Sequence, residues 1–420
     1  MPQDAQDDAE PSEELTTPSN SDPAPDGGLR AWLVALGAAS TAFACLGLTN
    51  SFGVFQSYYA TQLLSSSSPD AIAWIGSLST FLQFAFGGLA GPLFDRFGPA
   101  WIIRPAAVTY VLSIFLLSLC TQYWHFMLQT VLSGLSMAML QFPAFAAVSQ
   151  YFDRRRGAAL GLVLAGSSVG GVVFPIALSR MLNGSNPVSF AWTVRIMGFV
   201  VLPLMVFACL TIRARLPPRR TEFFILGAFR EARFLGLVAA LFLGFLGMMT
   251  PMFFLPTYAV SKGMEPALAG YLSAILNAAS TFGRVIPGVL ADKYGRLNIF
   301  ALGSVATGVV VMCMNSATTT AGLIGYSVAF GFASGTIISG ATTAFSICTD
   351  DMRNMGTYMG MGLAVGSLAA LIGPPVNGAM LEKYGGFLEV SIFSGVMCLA
   401  GGVVAFGTKA ATKQGLFGRV

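Results

Sequence analysis

The residue with the clearest chemical potential in this 420-residue sequence is Arg284, which lies alone within a long apolar run. A planar guanidinium can bind a carboxylate through two parallel hydrogen bonds. An arginine at the centre of a membrane helix costs at least about 2.5–3.5 kcal/mol to insert unless it faces water or a partner. No carboxylate lies in the same run, so an anionic substrate is the natural counter-ion. The alternative is that Arg284 caps carbonyls of a broken helix or meets a loop acid from another element.

Several polar and aromatic residues in other apolar runs are weaker candidates for a substrate site. Asn50, Gln141 and Asn277 could hydrogen-bond a substrate, although hydrogen bonds between helices explain such residues about as often. Tyr58 and Tyr258 could line an aromatic wall, although a role in the core or at the membrane interface is more common for tyrosine. Both interpretations stay open for each of these residues.

A triple-arginine sequence, Arg154, Arg155 and Arg156, precedes an apolar run rich in glycine. Positive charge beside a hydrophobic segment stays on the cytosolic side during insertion, so these arginines predict the membrane orientation. Glycines at four-residue spacing leave one face of the following helix almost without side chains, so that another backbone can approach closely. That face serves either a moving helix interface or static packing. The glycines are Gly157, Gly161, Gly166 and Gly170.

A charged loop occurs twice in corresponding places. GPLFDRFG contains Asp95 and Arg96, and GVLADKYG contains Asp292 and Lys293. A second correspondence at nearly the same offset matches Gly157, Gly161 and Pro175 to Gly356, Gly360 and Pro374. The two coincidences together indicate a duplicated six-helix unit. Parallel repeats of this size place a substrate site between the two halves, near the middle of the membrane.

The composition identifies the elements that carry these residues. Hydrophobic residues make up 55% of the chain and charged residues only 10%, and the mean hydropathy is +0.70. At about 20 residues per span, the apolar runs predict roughly a dozen helices joined by short loops. The net charge of +4 is too small to indicate a nucleic-acid partner. The six cysteines occur singly and no cluster of His, Asp and Cys exists, so we expect no metal, no cofactor and no enzyme activity.

The predicted fold class is therefore an all-α polytopic membrane protein with twelve transmembrane helices in two six-helix bundles. Residues 1–28 form an acidic tail of disordered composition, residues 213–233 a basic connector and residues 407–420 a short second tail. The bundles comprise residues 29–212 and 234–406. Few Lys or Arg residues fall on the side opposite the termini, so both termini are predicted in the cytosol. Those few are Arg180, Arg195, Lys262 and Lys383.

The duplicated loop resembles the Gly-x-x-x-Asp-[Arg/Lys]-x-Gly signature of the major facilitator superfamily. Residues 26–32, DGGLRAW, and residues 151–170 are similar to two signatures of its monocarboxylate transporter family, the first closer to the fungal form. The resemblance implies alternating access by rocking of two bundles. It also implies a cytosolic latch between helices formed by Asp95 with the arginines at 154–156, to which we add Arg96, Asp292, Lys293 and the spaced glycines as predicted gating residues.

The resemblance also bears on coupling. Members of that family carry an arginine in helix 8 with an aspartate four residues earlier, and animal members carry a lysine in helix 1. Arg284 matches the arginine, whereas Ser280 and Asn50 occupy the other two positions. The anion-binding residue is thus retained while the proton relay is absent. Pro251 and Pro256 in helix 7 would weaken its backbone hydrogen bonds and open that helix as a gate.

The leading hypothesis is a secondary transporter that moves a small organic anion or related metabolite, acts as a monomer and lies by default in the plasma membrane. One alternative is an exporter of a larger fungal specialised metabolite, which the missing relay allows. Another is a non-transporting membrane sensor, although sensors of this type usually add a long cytosolic tail that this sequence does not show after residue 406.

Overall fold

The computed structural model describes residues 25–152, 155–215, 224–345, 348 and 355–410. It contains twelve helices that are long and apolar enough to cross a membrane, which confirms the predicted fold class. Helix 1 comprises Leu29–Thr49, Phe52–Tyr58 and a π-helical turn Tyr59–Leu63; the others are helix 2 (Pro69–Phe97), helix 3 (Pro99–Leu117), helix 4 (Tyr123–Tyr151), helix 5 (Arg156–Asn183), helix 6 (Phe190–Thr211), helix 7 (Ala232–Ser261), helix 8 (Pro266–Tyr294), helix 9 (Arg296–Met312), helix 10 (Thr320–Ala344), helix 11 (Met355–Tyr384) and helix 12 (Leu388–Ala410).

The duplicated loop takes the same form in both halves. Gly98 between helices 2 and 3 has φ +76°, and Gly295 between helices 8 and 9 has φ +99°. Side chains rarely tolerate this left-handed region, so glycine ends the first helix of each pair and allows the sharp turn into the next. The structure therefore gives the sequence repeat a shared backbone geometry.

Each half has its own hydrophobic core. One buried cluster draws its residues from helices 1 to 6 and the segment that follows helix 6. The other draws almost all of its residues from the segment after residue 224 and helices 7 to 12, with Ala73 of helix 2 as its contribution from the first half. Most of the buried packing in each half is therefore made by helices of that same half.

The two halves meet mainly along three pairs of helices. We call the end of the molecule at which residues 29 and 410 lie the terminal end, and the other the distal end. Helices 1 and 7 meet in their distal halves, where the rings of Phe52 and Phe253 are 5.0 Å apart. Helices 5 and 8 also meet there, since Ser179 Oγ donates a hydrogen bond of 2.8 Å to the Ala267 carbonyl.

Helices 2 and 11 make contacts at both ends. A Cβ added to Gly378 would lie 2.6 Å from the backbone of Asp70 near the distal end. A Cβ added to Gly88 would lie 3.1 Å from the Gly360 carbonyl nearer the terminal end. These helices therefore stay in contact along one side of the molecule.

Helices 5 and 8 separate toward the terminal end. One face of helix 8 carries residues 270, 277, 284 and 288. Gly270 lies against Ser179 and Asn277 lies against Gly171, but a Cβ at Gly288 would meet no atom within 4 Å. Helices 5 and 8 are thus in contact at the distal end, and open space lies beside Gly288 toward the terminal end. We call this space between the two bundles the gap.

Two local features differ from expectation. Helix 7 runs unbroken from Ala232 to Ser261 with Pro251 and Pro256 inside it, so neither proline opens the helix in this conformation. Helix 1 is interrupted at Asn50 and Ser51, halfway along its span. The Ser51 hydroxyl donates to the Gly47 carbonyl at 2.7 Å and satisfies an acceptor at the break.

Candidate functional site

Arg284 is the centre of the candidate site. Its side chain is half-buried on helix 8, and its Nε is fully buried without a hydrogen-bond partner. No hydrogen bond or ion pair joins Arg284 to another described residue. A buried polar group without a partner is rare in folded proteins and calls for a specific explanation. The alternative in which Arg284 caps carbonyls or meets a loop acid is not observed among the described residues.

Glycines fix the orientation of helix 8. Gly283 packs directly on the Phe332 backbone of helix 10, and a Cβ at Gly335 of helix 10 would lie 2.6 Å from the Ser280 carbonyl. Such close contact of two backbones leaves no room for side chains between these helices. Residues 277 and 284 are separated by seven positions and so share a face of the helix. Because Asn277 lies against helix 5, Arg284 points toward the gap between the bundles.

Two further buried hydroxyls lack a hydrogen-bond partner, one on helix 8 and one on helix 5. Ser280 precedes Arg284 by one helical turn, is 1% exposed, and has an Oγ without a partner. Ser167 on helix 5 is fully buried and its Oγ also lacks a partner. It lies one turn from Gly171, which faces Asn277. Arg284 Nε and these two hydroxyls are the buried unsatisfied side-chain groups in the described parts of helices 5 and 8, and a ligand with several hydrogen-bonding oxygens could bind them. Nothing in the sequence distinguished Ser167 from an ordinary helical serine.

Asn277 occupies the contact between the two halves. Its Nδ2 donates to the Ser273 carbonyl at 2.8 Å, and its side chain lies against Gly171. The structure thus brings Asn277, Ser280 and Arg284 onto adjoining faces of one helix. These three residues are the part of the candidate site that the second bundle contributes.

Gln141 belongs to a chain of hydrogen bonds inside the first bundle. Gln83 Nε2 donates to Gln141 Oε1 at 2.6 Å, and Thr49 Oγ1 donates to Gln83 Oε1 at 3.3 Å. The adjacent Asn50 is half-buried at the interruption of helix 1. This chain connects helices 1, 2 and 4 through Gln83, while Asn50 lies at the break beside it.

The two tyrosines lie apart from Arg284. The Tyr258 hydroxyl donates to the Ala317 carbonyl at 3.2 Å, and Tyr258 is fully buried in the second core. Tyr58 stacks on Phe190, with ring centroids 5.9 Å apart. Both residues are near the distal ends of their helices, whereas Arg284 is in the terminal half of helix 8. The structure does not bring either tyrosine into the group around Arg284.

The spaced glycines of helix 5 divide between different environments. Gly166 and Gly170 pack against the carbonyls of Ala39 and Phe43 in helix 1, within one bundle. A Cβ added to Gly161 would meet no atom within 4 Å. Gly171, which the four-residue spacing did not select, faces the other bundle. The close packing at Gly166 and Gly170 is therefore internal to the first half.

Three of the predicted gating cations, Arg96, Arg155 and Lys293, lie at the terminal end. The Arg96 guanidinium is 5.5 Å from the Phe97 ring centre, and the Lys293 ammonium is 5.3 Å from that of Tyr294. The Arg155 backbone N–H donates to Asp26 Oδ1 at 3.3 Å, which ties the start of the described chain to the connection between helices 4 and 5. Arg154 and the surroundings of Asp95, Arg156, Gly157 and Asp292 lie outside the described residues.

Comparison with known proteins adds a family and several relatives. The family described as Major Facilitator Superfamily matches residues 33–374 and 285–416. The chain is 50% identical over 390 residues, 93% of this chain and 80% of the relative, to the aspyridones efflux protein apdF of Emericella nidulans. It is 39% identical over 395 residues, 92% of this chain and 89% of the relative, to the agnestins efflux protein AgnL12 of Paecilomyces divaricatus. It is 38% identical over 392 residues, 92% of this chain and 83% of the relative, to the fujikurins efflux protein of Gibberella fujikuroi.

Proposed function

The chain belongs to the Major Facilitator Superfamily and is a membrane transporter, and from this premise we propose that it exports an organic anion made by the cell, with Arg284 holding the negative charge. The observation that carries the proposal is the buried Nε of Arg284, which has no partner among the described residues. A guanidinium in this setting favours a ligand that supplies its counter-ion.

The direction of transport is inferred from the relatives. Three of them are named efflux proteins, for aspyridones, agnestins and fujikurins. These names support export of a secondary metabolite rather than uptake of a nutrient. They also favour transport over a sensor function.

The proposed cycle starts from the conformation described above. The substrate enters the gap from the terminal end, its anionic oxygens pair with Arg284, and the Ser280 and Ser167 hydroxyls bind its other oxygens. The bundles then close at the terminal end and part at the distal end. Because the sequence places its carboxylates in loops or at helix ends, no dedicated proton relay accompanies the anion, and the cycle moves net negative charge.

The setting of this cycle is part of the proposal. The terminal end faces the cytosol, as the distribution of Lys and Arg predicts, and the protein works as a monomer in the plasma membrane. Residues 29–212 and 234–406 form the two moving bundles, joined by the connector 213–233. The division is supported by the two separate cores.

A second candidate is carriage of a short monocarboxylate. It is favoured by the resemblance of residues 26–32 and 151–170 to the monocarboxylate transporter family and by the matching arginine, Arg284. The two candidates differ in the size of the substrate and not in the role of Arg284. A size series of organic acids separates them.

The test uses the purified full chain in proteoliposomes. Lactate, benzoate and a larger aromatic carboxylate are compared with their neutral amides, with an imposed membrane potential or an imposed pH gradient. We expect the largest acid to be carried best, its amide not to be carried, and the flux to follow the membrane potential. Preferred transport of lactate would favour the second candidate. Equal transport of acids and amides would overturn the role of Arg284.

A further inference from the structure

The first bundle contains a cavity of about 100 Å³ whose lining residues do not include Arg284. Helices 1, 2, 3, 4 and 6 line it in their distal halves. Helices 3 and 6 pack within the first core, through residues such as Tyr110 and Met197. The cavity therefore lies inside one bundle rather than between the two.

The lining combines rings with hydroxyl groups and carries no charge. Tyr59 and Phe52 supply ring faces, and Ser79, Thr130 and Ser133 supply hydroxyls. The Ser133 hydroxyl already donates to the Thr130 carbonyl at 3.1 Å, so its lone pairs remain to accept a hydrogen bond. A ligand for this lining is neutral, has a flat apolar body and carries a hydroxyl donor. A phenolic ring meets these requirements.

Phe52 separates the cavity from the contact between the bundles. Its ring lies directly on Gly76, where any side chain would clash with it. The same ring is 5.0 Å from the ring of Phe253 on helix 7. Movement of helix 7 away from helix 1 would remove the support on that side of Phe52. The Phe52 ring therefore blocks the path between the cavity and the space that would open between the bundles at the distal end.

The helical segment that contains Phe52, Phe52–Tyr58, is bounded by irregular backbone on both sides. The interruption at Asn50 and Ser51 precedes it, and the π-helical turn Tyr59–Leu63 follows it. Irregular hydrogen bonding of this kind marks bends and hinges in helices. Within the segment, Gln56 is 3% exposed and its Oε1 has no partner. The closed position therefore leaves a buried acceptor unsatisfied, which favours a second position of the segment.

We propose that this cavity is a second substrate subsite, which receives a phenolic ring of the exported anion when Phe52 swings out as the distal end opens. The inference rests on the proposed export function. In the closed position the cavity has a volume of about 100 Å³. Displacement of the Phe52 ring adds the volume of one aromatic ring, which makes room for the ligand ring.

Phenol itself is the probe for the test, and its binding to the purified full chain is measured by ligand-observed NMR. Ser79→Leu fills the cavity from a half-buried position, and Ser57→Leu is the matched control, since Ser57 is half-buried nearby but does not line the cavity. We expect at least tenfold weaker phenol binding in Ser79→Leu and unchanged binding in Ser57→Leu. Equal binding in both variants would overturn the subsite.

A second pair of variants keeps the result interpretable if Ser79→Leu folds poorly. Ser133→Ala removes the hydroxyl that is proposed to accept the hydrogen bond and leaves the rest of the lining unchanged. We expect weaker binding of phenol and unchanged binding of toluene; equal loss of both would contradict the proposed hydroxyl contact. Arg284→Gln must leave phenol binding intact even where it abolishes anion transport. This outcome separates failure of the cavity proposal from failure of the proposed function.

Discussion

Replacing Arg284 by glutamine is expected to weaken transport and to stabilise the protein. Arg284 has a buried Nε without a partner. An arginine at mid-membrane costs about 2.5–3.5 kcal/mol, and glutamine removes the charge while keeping a polar group. We therefore expect the free energy of unfolding to rise by about 1–2 kcal/mol. For a protein of this size that raises Tm by about 2 °C.

The loss in transport follows from the hydrogen bonds that glutamine cannot replace. A hydrogen bond to a charged group contributes about 1.5–3 kcal/mol, and a bidentate contact contains two of them. Glutamine retains one neutral hydrogen bond, so the net loss is about 3 kcal/mol. Since 1.4 kcal/mol corresponds to a tenfold change, the apparent affinity for the anion should fall by about 100-fold.

Arg195 provides a matched control for this experiment. It is also half-buried, but its Nε donates to Ser118 Oγ at 3.2 Å and its guanidinium lies 5.2 Å from the Trp192 ring centre. Arg195→Gln removes satisfied contacts, so we expect lower stability by about 1 kcal/mol and unchanged affinity for substrate. The two variants should therefore move Tm in opposite directions.

The measurements are thermal unfolding in detergent and anion flux into proteoliposomes. An Arg284→Gln protein that transports the anion with unchanged KM would refute the role of Arg284 as the anion-binding group. A loss of stability equal to that of Arg195→Gln would show that Arg284 has a protein partner. Either result would leave the fold intact and remove the basis of the proposed substrate class.

Three further predictions concern backbone contacts. Gly335→Ala places a methyl group 2.6 Å from a carbonyl of helix 8, so we expect a destabilisation of about 1–3 kcal/mol and a higher KM, measured by thermal unfolding and flux. Gly88→Ala places a methyl 3.1 Å from a carbonyl of helix 11 and should lower Tm and slow transport, whereas Gly91→Ala, which meets no atom within 4 Å, should change neither. Asp26→Ala removes the acceptor of the Arg155 N–H and should speed tryptic cleavage between helices 4 and 5 severalfold, while Asp26→Asn, which keeps an acceptor and tolerates the positive φ of 49°, should not; equal cleavage of both would contradict this contact.

The helices and the repeat could be predicted from the sequence because they depend on local properties. Run length and the scarcity of charge specify twelve spans, and the duplicated loops contain the glycines that the turns require at Gly98 and Gly295. The absence of an acidic partner for Arg284 on its own helix was also predictable, since no Asp or Glu occurs in the same apolar run. Each of these features follows from residues that are close together in the chain.

The orientation of helices about their axes could not be predicted in this way. Gly170 and Gly171 are consecutive, yet Gly170 faces helix 1 and Gly171 faces helix 8, because successive residues differ by about 100° around a helix. Tyr258 points into the second core for the same reason. Four-residue spacing identifies a face but does not specify the helix that it contacts.

The break in helix 1 was missed for a different reason. Asn50 and Ser51 carry no strong breaking signal, whereas Pro251 and Pro256, which do, lie within an unbroken helix 7. Contacts with other helices decide whether a helix is interrupted at such positions. Phe52 and Gly53, directly after the break, pack against Phe253 and Met252 of helix 7. The interruption is therefore a property of the interface between bundles and not of the local sequence.

The isolated charge of Arg284 also gives a physical reason why substrate should promote closure. Closing the terminal end removes water from a guanidinium that has no counter-ion among the described residues, and desolvation of an unpaired ion costs several kcal/mol. A bound anion offsets that cost in the closed state more than in the open one, and only such a differential interaction can shift the equilibrium between conformations. A neutral molecule of the same shape provides no such offset. In the proposed cycle we therefore expect selectivity for anions to arise mainly in the closing step, and we expect neutral analogues that enter the gap to compete weakly for binding without being carried across.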